Sequence, residues 1–400
     1  MAVGGSALRK MDRGLQQVMQ WKVVNGEGSA PPPDGDLSAE LTGATSAPLR
    51  SSGGRRVKLL WASQLIGTGF AYGYATHANN MRKALAAAGV EISYDRNADC
   101  DIAVSIVPPE LFDPVPGRFN LLFSTAEMSE PTEPLKAMPS ALVVPCEYSK
   151  KVFAKFYPGD IHVCPEGVDV EAFPFFQRKE PGPGDRFRFL FNGNIRDSTK
   201  GFGLAISAWR AWLTSGRAPA GTQFYVKTTG LPGPELSFYP AVNGNLVGPF
   251  PLPPEVSLDL PEIAMVVDNR NLPVRELAAL YNSSHALLAP SLGEAWNLVL
   301  TEAMATGMPC AWTHATSTLD YADTSTGWPI TAFKPCIFRQ DMPGYYGFAA
   351  EESAIINAMQ EIVDDYPAAL ARGRAASERM KKYSWRAAAE KFVHICRRYI

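Results

Sequence analysis

The sequence contains no uninterrupted run of about 18 apolar residues, the least that a membrane-crossing helix needs, so a chain that spans a bilayer by helices is not expected. Cysteine is sparse and scattered. Cys100, Cys146, Cys164, Cys310, Cys336 and Cys396 form no CxxC pair, which excludes a short-loop disulfide framework and points to thiols in a reducing compartment. Neither cysteine nor histidine has zinc-site spacing. Charge of neither sign prevails: 38 Lys+Arg oppose 40 Asp+Glu, a formal charge of -2, so bulk electrostatics predicts neither a nucleic-acid coat nor an acidic tail. The opening "MAVGGSALRKMDRGLQQ" lacks the apolar core of a signal peptide, and no repeat occurs at solenoid periods. These absences predict a cytoplasmic globular protein. What is present supports that reading: 46% hydrophobic against 20% charged residues can fill a sizeable core, and 400 residues exceed the usual size of one domain.

Residues 26 to 55, rich in Gly, Pro, Ser and small side chains, cannot offset the entropy of ordering, so residues 1–55 read as a flexible extension, with a short amphipathic helix around residues 7 to 22. Then "VKLLWAS", "IAVSIV", "NLLFST", "ALVVP" and "IHVCP" give short buried strands, with the helical "HANNMRKALAAAG" after the first. "RKEPGPGD", residues 178 to 185, interrupts the pattern. Beyond it "FRFLFNG", "QFYVKT", "IAMVV", "HALLAP" and "PCAWT" read as strands, and "GLAISAWRAWL", "VRELAALYNSS" and "NLVLTEAMA" as helices. The alternation predicts α/β architecture: two doubly wound, Rossmann-like domains, residues 56–178 and 186–383, whose strand C-termini face a cleft. Residues 229 to 262 are too rich in Pro and Gly for a helix and read as an insertion. Residues 384–400 read as a closing helix, with Ser384 as N-cap and Trp385, Ala388, Ala389, Phe392, Cys396 and Tyr399 on one face.

Two carboxylates stand out in "SLGEAWNLVLTEAMATGMP". Glu294 lies in a Ser-Gly turn and Glu302 inside an apolar helix, where a carboxylate needs a partner. A helix starting near Asn297 directs the free N–H groups of Trp296 to Leu298 toward the space beside Glu294, a place suited to phosphate. Glu302, further along, can accept hydrogen bonds from the paired hydroxyls of a ribose. A solvated turn and a core ion pair with an arginine are the plainer alternatives.

"YNSSHALLAPSLGEAWNLVLTEAMATGMP" closely resembles the signature of retaining glycosyltransferases of the GT-B fold, family 4, in which two glutamates stand eight positions apart after a Pro-Ser turn. "VVPCEYSKKVF", "VCPEGVDVEAF" and "YSWRAAAEKF" extend the likeness over most of residues 56 to 400. The resemblance implies a GT-B fold with the C-terminal helix crossing back to the N-terminal domain, and a nucleotide-sugar donor serving as co-substrate with no cofactor and no required metal. It implies that Glu294 takes hydroxyls of the donor sugar, that Glu302 holds the ribose, and that the backbone of Ala295, Trp296, Asn297 and Leu298 binds the distal phosphate. It also implies a basic pair after the first strand of the C-terminal domain. There Lys200 matches, Asn194 replaces the usual Arg, and Arg196 stands two positions later in a loop one residue longer. Lys200 and Arg196 are thus expected to offset the charge of the leaving diphosphate. In the family's mechanism that diphosphate helps deprotonate a hydroxyl acceptor on the same face.

Gly67 and Gly69, between the first strand and helix, let the backbone approach the donor closely. Glu127 in "FSTAEMSEP", at a strand end, and His77 are acceptor-side candidates, although a lone His is more often a core residue. Asp99 and Asp101 have the spacing of a metal-binding pair but precede their strand, so they read as strand-entry residues and no metal ligand is assigned. Arg372, Arg374, Arg379, Lys381, Lys382, Arg386, Lys391, Arg397 and Arg398 form a basic C-terminal region that suits a solvated face, or peripheral contact with an anionic membrane or with DNA. Two other functions fit the same residues: a non-catalytic glycan- or nucleotide-binding module, and a glycosyltransferase acting on modified bases of DNA.

Overall fold

The structure, a computed structural model, describes residues 57–400 except 63–71, 130–134, 183, 196, 229–240, 243–244, 247–256, 261–262 and 338–344. The expected N-terminal extension, its short helix, and most of the 229–262 insertion lie outside the described residues. The chain forms two compact units, passing from the first to the second between Val168 and Asp169 and returning between Lys381 and Lys382.

The first unit is built on strands β1 (Lys58–Trp61), β2 (Glu91–Ser93), β3 (Ile102–Ile106), β4 (Phe119–Phe123), β5 (Ala141–Val144) and β6 (Ile161–Val163), with helices α1 (Tyr72–Ala87) and α2 (Glu147–Phe153). All six strands are parallel, in the order β2-β1-β3-β4-β5-β6. Every residue of β3 and β5 is buried, as expected of strands covered on both faces. The C-terminal helix, Trp385–Cys396, is capped by the Ser384 side chain on the Ala387 N–H and packs against α1. Its Ala388, Ala389, Phe392 and Cys396 enter the same core as Leu59, Met81 and Val104. The helix thus crosses back, as the resemblance implies.

The second unit contains β7 (Arg188–Asn192), β8 (Gln223–Lys227), β9 (Ala241–Val242), β10 (Asn245–Leu246), β11 (Ser257–Leu260), β12 (Met265–Asp268), β13 (Ala286–Ala289), β14 (Cys310–Thr313), β15 (Trp328–Ile330), β16 (Phe333–Ile337) and β17 (Tyr346–Ala350). Its main sheet has the order β11-β12-β8-β7-β13-β14-β15, parallel except for the edge strand β11. The helices are α3 (Phe202–Thr214), α4 (Val274–Asn282), α5 (Leu298–Ala305), α6 (Thr318–Tyr321), α7 (Glu352–Asp364) and α8 (Tyr366–Met380). Ala205, Ala208, Trp209 and Trp212 make a helical stripe on α3 that covers Phe189, Phe224 and Met265 of the sheet.

Candidate functional site

Strand β7 ends at Asn192, and the chain turns through Gly193 into a short 3-10 turn, Ser198–Lys200, capped by the Asp197 side chain on the Thr199 N–H. Gly201 follows with φ of 73°, and a Cβ there would run into the Pro290 carbonyl oxygen, so only glycine permits the approach. The Leu292 N–H donates to the Thr199 carbonyl at 2.8 Å, fastening the loop after β7 to the loop after β13. That seam brings Lys200 to Glu294. The Lys200 Nζ lies 3.1 and 3.0 Å from the two carboxylate oxygens, and Glu294, at 8% exposed, is no solvated turn residue.

Replacing Gly201 by alanine is expected to lower stability by about 1–3 kcal/mol, the usual cost of a non-glycine residue held in a sparsely populated backbone region. Thermal unfolding checks this, and an unchanged melting temperature would show that the loop shifts freely.

The Glu294 backbone is held from the other side by Thr316. Its hydroxyl accepts from the Glu294 N–H at 3.0 Å and donates to the Glu294 carbonyl at 2.8 Å. Thr316 has φ of 56°, a rare value for a β-branched residue, of the kind kept where the surroundings over-determine it. Ser291, Gly293, Glu294, Asn297, Thr313 and Thr316 line one shallow recess.

Helix α5 starts at Leu298, next to the Asn297 start expected from the sequence. Asn297 sits in the left-handed region with φ of 71°, and its Oδ1 accepts from the Leu300 N–H at 3.0 Å. Ala295 and Trp296, just before the helix, are buried. Within the helix the Glu302 Oε2 accepts from the Tyr281 hydroxyl at 2.9 Å, and the same hydroxyl accepts from the Asn192 Nδ2 at 2.8 Å. Burial raises the Glu302 carboxyl to about 7, opposed by the Tyr281 hydrogen bond and aided by nearby Asp169. The partner is therefore a phenol in a three-residue chain, and not the arginine of the plainer alternative.

Asn194 is exposed after β7, its carbonyl accepting from the Asp197 N–H. Arg196, Gly67 and Gly69 lie outside the described residues. Glu127 is half-buried in the loop after β4. His77 is buried in the core of the first unit, its Nδ1 3.3 Å from Glu166 and its ring packed on Phe123 and Trp385. Asp101 accepts from the Lys58 N–H at 3.0 Å at the entry to β3, a local structural use. Among the described residues no group of three His, Cys, Asp or Glu could hold a metal ion, and no helix is long and apolar enough to cross a membrane. The basic C-terminal region is not one continuous helix: α8 ends at Met380 in one unit and the C-terminal helix begins at Trp385 in the other. Within it Arg379 pairs with Asp323, Lys381 with Glu378 and Arg386 with Glu390, and Arg372 lies over Trp328.

Two residues unmarked in the sequence bear on the site. Arg178, 5% exposed, donates to the carbonyls of Tyr281, Ser284 and Thr306 and to the Thr306 hydroxyl at 2.7 to 3.1 Å, tying the C-terminal ends of α4 and α5 together. Lys227, 2% exposed, closes β8. Neither has an apolar period or motif to announce it.

A family model described as "Family 4 Glycosyltransferase in conflict systems" matches residues 261–392, which include both glutamates. D-inositol 3-phosphate glycosyltransferase of Corynebacterium aurimucosum is 28% identical over 124 residues, 31% of this chain. That match spans a quarter, 25%, of the relative's length. Among solved structures, sucrose-phosphate synthase from Thermosynechococcus elongatus superposes with a TM-score of 0.56 at 14% identity, covering 86% of this chain and 99% of that one. Anabaena HepE, solved in complex with UDP-glucose, gives a TM-score of 0.57 at 10% identity, covering 86% and 100%. Both likenesses speak for the two-domain Rossmann-like fold.

Proposed function

We propose, from the premise that this chain is GT-B in fold and similar in sequence to family 4 glycosyltransferases, that it transfers a sugar from a nucleotide diphosphate sugar to a hydroxyl acceptor with retention at the anomeric carbon. The observation that carries this reading is the convergence of Lys200 on Glu294 beside the capped start of α5, with Glu302 held by Tyr281 one turn onward. Glu294 takes hydroxyls of the donor sugar, and the backbone from Ala295 to Leu298 takes the distal phosphate. Lys200, joined by Arg196, stabilises the charge that grows on the leaving diphosphate. Glu302 accepts from the ribose hydroxyls, and Glu127 serves the acceptor side. No enzymic nucleophile is required, since the leaving phosphate oxygen takes the acceptor proton on the face where the new bond forms. The protein's part is positioning and charge stabilisation. The HepE complex supports a nucleotide-sugar donor by analogy of fold.

Incubation with UDP-, GDP-, ADP- and TDP-linked sugars, with and without EDTA, tests this. Release of nucleoside diphosphate from one donor class is expected, undiminished by the chelator. Tight binding without release would favour the non-catalytic module, and absence of both would remove the reading. Loss of release in EDTA would make the reaction metal-dependent.

A pH dependence follows from Glu302, which must be ionised to accept two hydroxyls. Nucleotide affinity is expected to weaken as pH falls through about 7. For stability the sign is opposite: the folded chain binds this proton more tightly, so the contribution is largest below the unfolded value of 4.5 and is lost as pH rises through about 7. Calorimetric titration of the nucleotide between pH 5.5 and 8.5, roughly one pH unit and more on either side of the carboxyl's midpoint, checks the first effect. An affinity flat across that range would assign Glu302 no ligand.

A further inference from the structure

On β8, Phe224 and Val226 face the core shared with Phe189 and Val267, so Lys227 lies on the opposite face. Its register neighbours there are Asn192 on β7 and Asp268 on β12. The Lys227 Nζ donates to the Thr228 carbonyl at 2.6 Å, and among the described residues no carboxylate stands within ion-pair distance. Asp268, its register neighbour on β12, is occupied by Arg270 and by the Tyr225 hydroxyl. An ammonium has three donors, so this buried one keeps unused capacity. Burial drives its pKa down to about 8, a shift that the Asp268 carboxylate opposes and the Arg270 guanidinium aids. One residue past Asp268, Asn269 is buried and its Oδ1 has no hydrogen-bond partner. A methionine in place of Lys227 would fit the same volume without either cost.

The sheet order says what approaches this spot. Across the C-terminal edge from β14 to β12 come Thr316 after β14, Glu294 after β13, Asn192 on β7 with its link to Glu302, then Lys227 on β8 and Asp268 on β12. A donor lying with its sugar at Glu294 and its ribose at Glu302 extends its base toward β8. We propose that Lys227 reads the donor nucleobase by donating to a ring carbonyl oxygen, with the Asn269 Oδ1 accepting the adjacent ring N–H. Uracil, thymine and guanine carry that carbonyl and N–H pair on the six-membered ring, and adenine carries neither. The inference rests on the glycosyltransferase reading and assigns a base class within it.

Calorimetric titration of UDP, UMP, GDP and ADP into wild type, Lys227→Met and Glu302→Ala tests it. Wild type is expected to bind UDP or GDP at least about tenfold more tightly than ADP, the worth of one hydrogen bond to a charged group. Lys227→Met is expected to bring the three diphosphates within about threefold by weakening only the carbonyl-bearing ones, and to melt higher than wild type. Lys227→Arg, which keeps the charge, should retain part of the preference and serves if the Met variant fails to fold. An unchanged base preference in the variant overturns the inference. So does equal weakening of all three diphosphates together with loss of the difference between UDP and UMP, which would place Lys227 on the phosphates. If wild type binds nucleotide and Glu302→Ala does not, either result removes only the role of Lys227. If wild type binds none of the four, the underlying reading fails and the inference with it.

Discussion

Lys200→Met is expected to lower donor cleavage by about 10²–10³-fold, the usual penalty for removing one preorganised group from a site of developing negative charge. The fold should suffer far less. Lys200 keeps part of its surface in water, and the loop that bears it is anchored by the Thr199 carbonyl and by Gly201, so the loss is roughly 1 kcal/mol. What remains is the Glu294 carboxylate, nearly buried and now without its cation. The double variant Lys200→Met with Glu294→Gln removes that charge, so it should recover the stability and leave turnover lost. Rates of nucleoside diphosphate release together with thermal unfolding of both proteins make the check. A Lys200→Met enzyme that turns over like wild type would reduce the ion pair to a structural contact.

Arg178→Met is the counterpart on the side of stability, with an expected loss of roughly 2–4 kcal/mol in urea unfolding. The guanidinium reaches the Tyr281, Ser284 and Thr306 carbonyls at once, and these lie where α4 and α5 run out of internal N–H donors. Some of these carbonyls also accept backbone bonds, which keeps the loss below that of a wholly orphaned set. Lysine should not rescue it, because one ammonium cannot present a planar fork to separated carbonyls. Since Tyr281 and Glu302 stand on the two helices that Arg178 joins, the variant should also weaken nucleotide binding. A stability change under about 1 kcal/mol would mean that water replaces the guanidinium at those helix ends.

The strands and helices that bury apolar runs were legible because their period is local. β3, β5, α3 and the C-terminal helix fall where short apolar runs or helical stripes announce them. β2, β15 and β16 did not, being short, partly exposed or interrupted by proline. Glu294, Glu302 and Lys200 were legible through spacing and resemblance, although their partners were not. Nothing near Glu302 in the sequence names Tyr281 or Asn192, which stand 21 and 110 positions before it. The Thr316 clamp, the Gly201 approach to Pro290 and the Arg178 latch likewise depend on segments that meet only after folding. Lys227 shows the same limit from another side. In the sequence it is one charge ending an apolar strand, and only its burial marks it out.

The C-terminal helix has a consequence for synthesis. Its apolar face completes a core whose other members were made more than two hundred residues earlier. As the polypeptide leaves the ribosome, the half made first is therefore the half finished last, and it waits with a greasy flank of α1 and β1 uncovered while Asp169–Lys381 is translated. A chain cut short just before Trp385 would hold every strand of both sheets and still expose that flank, a surface that invites capture by chaperones or by other unfinished copies.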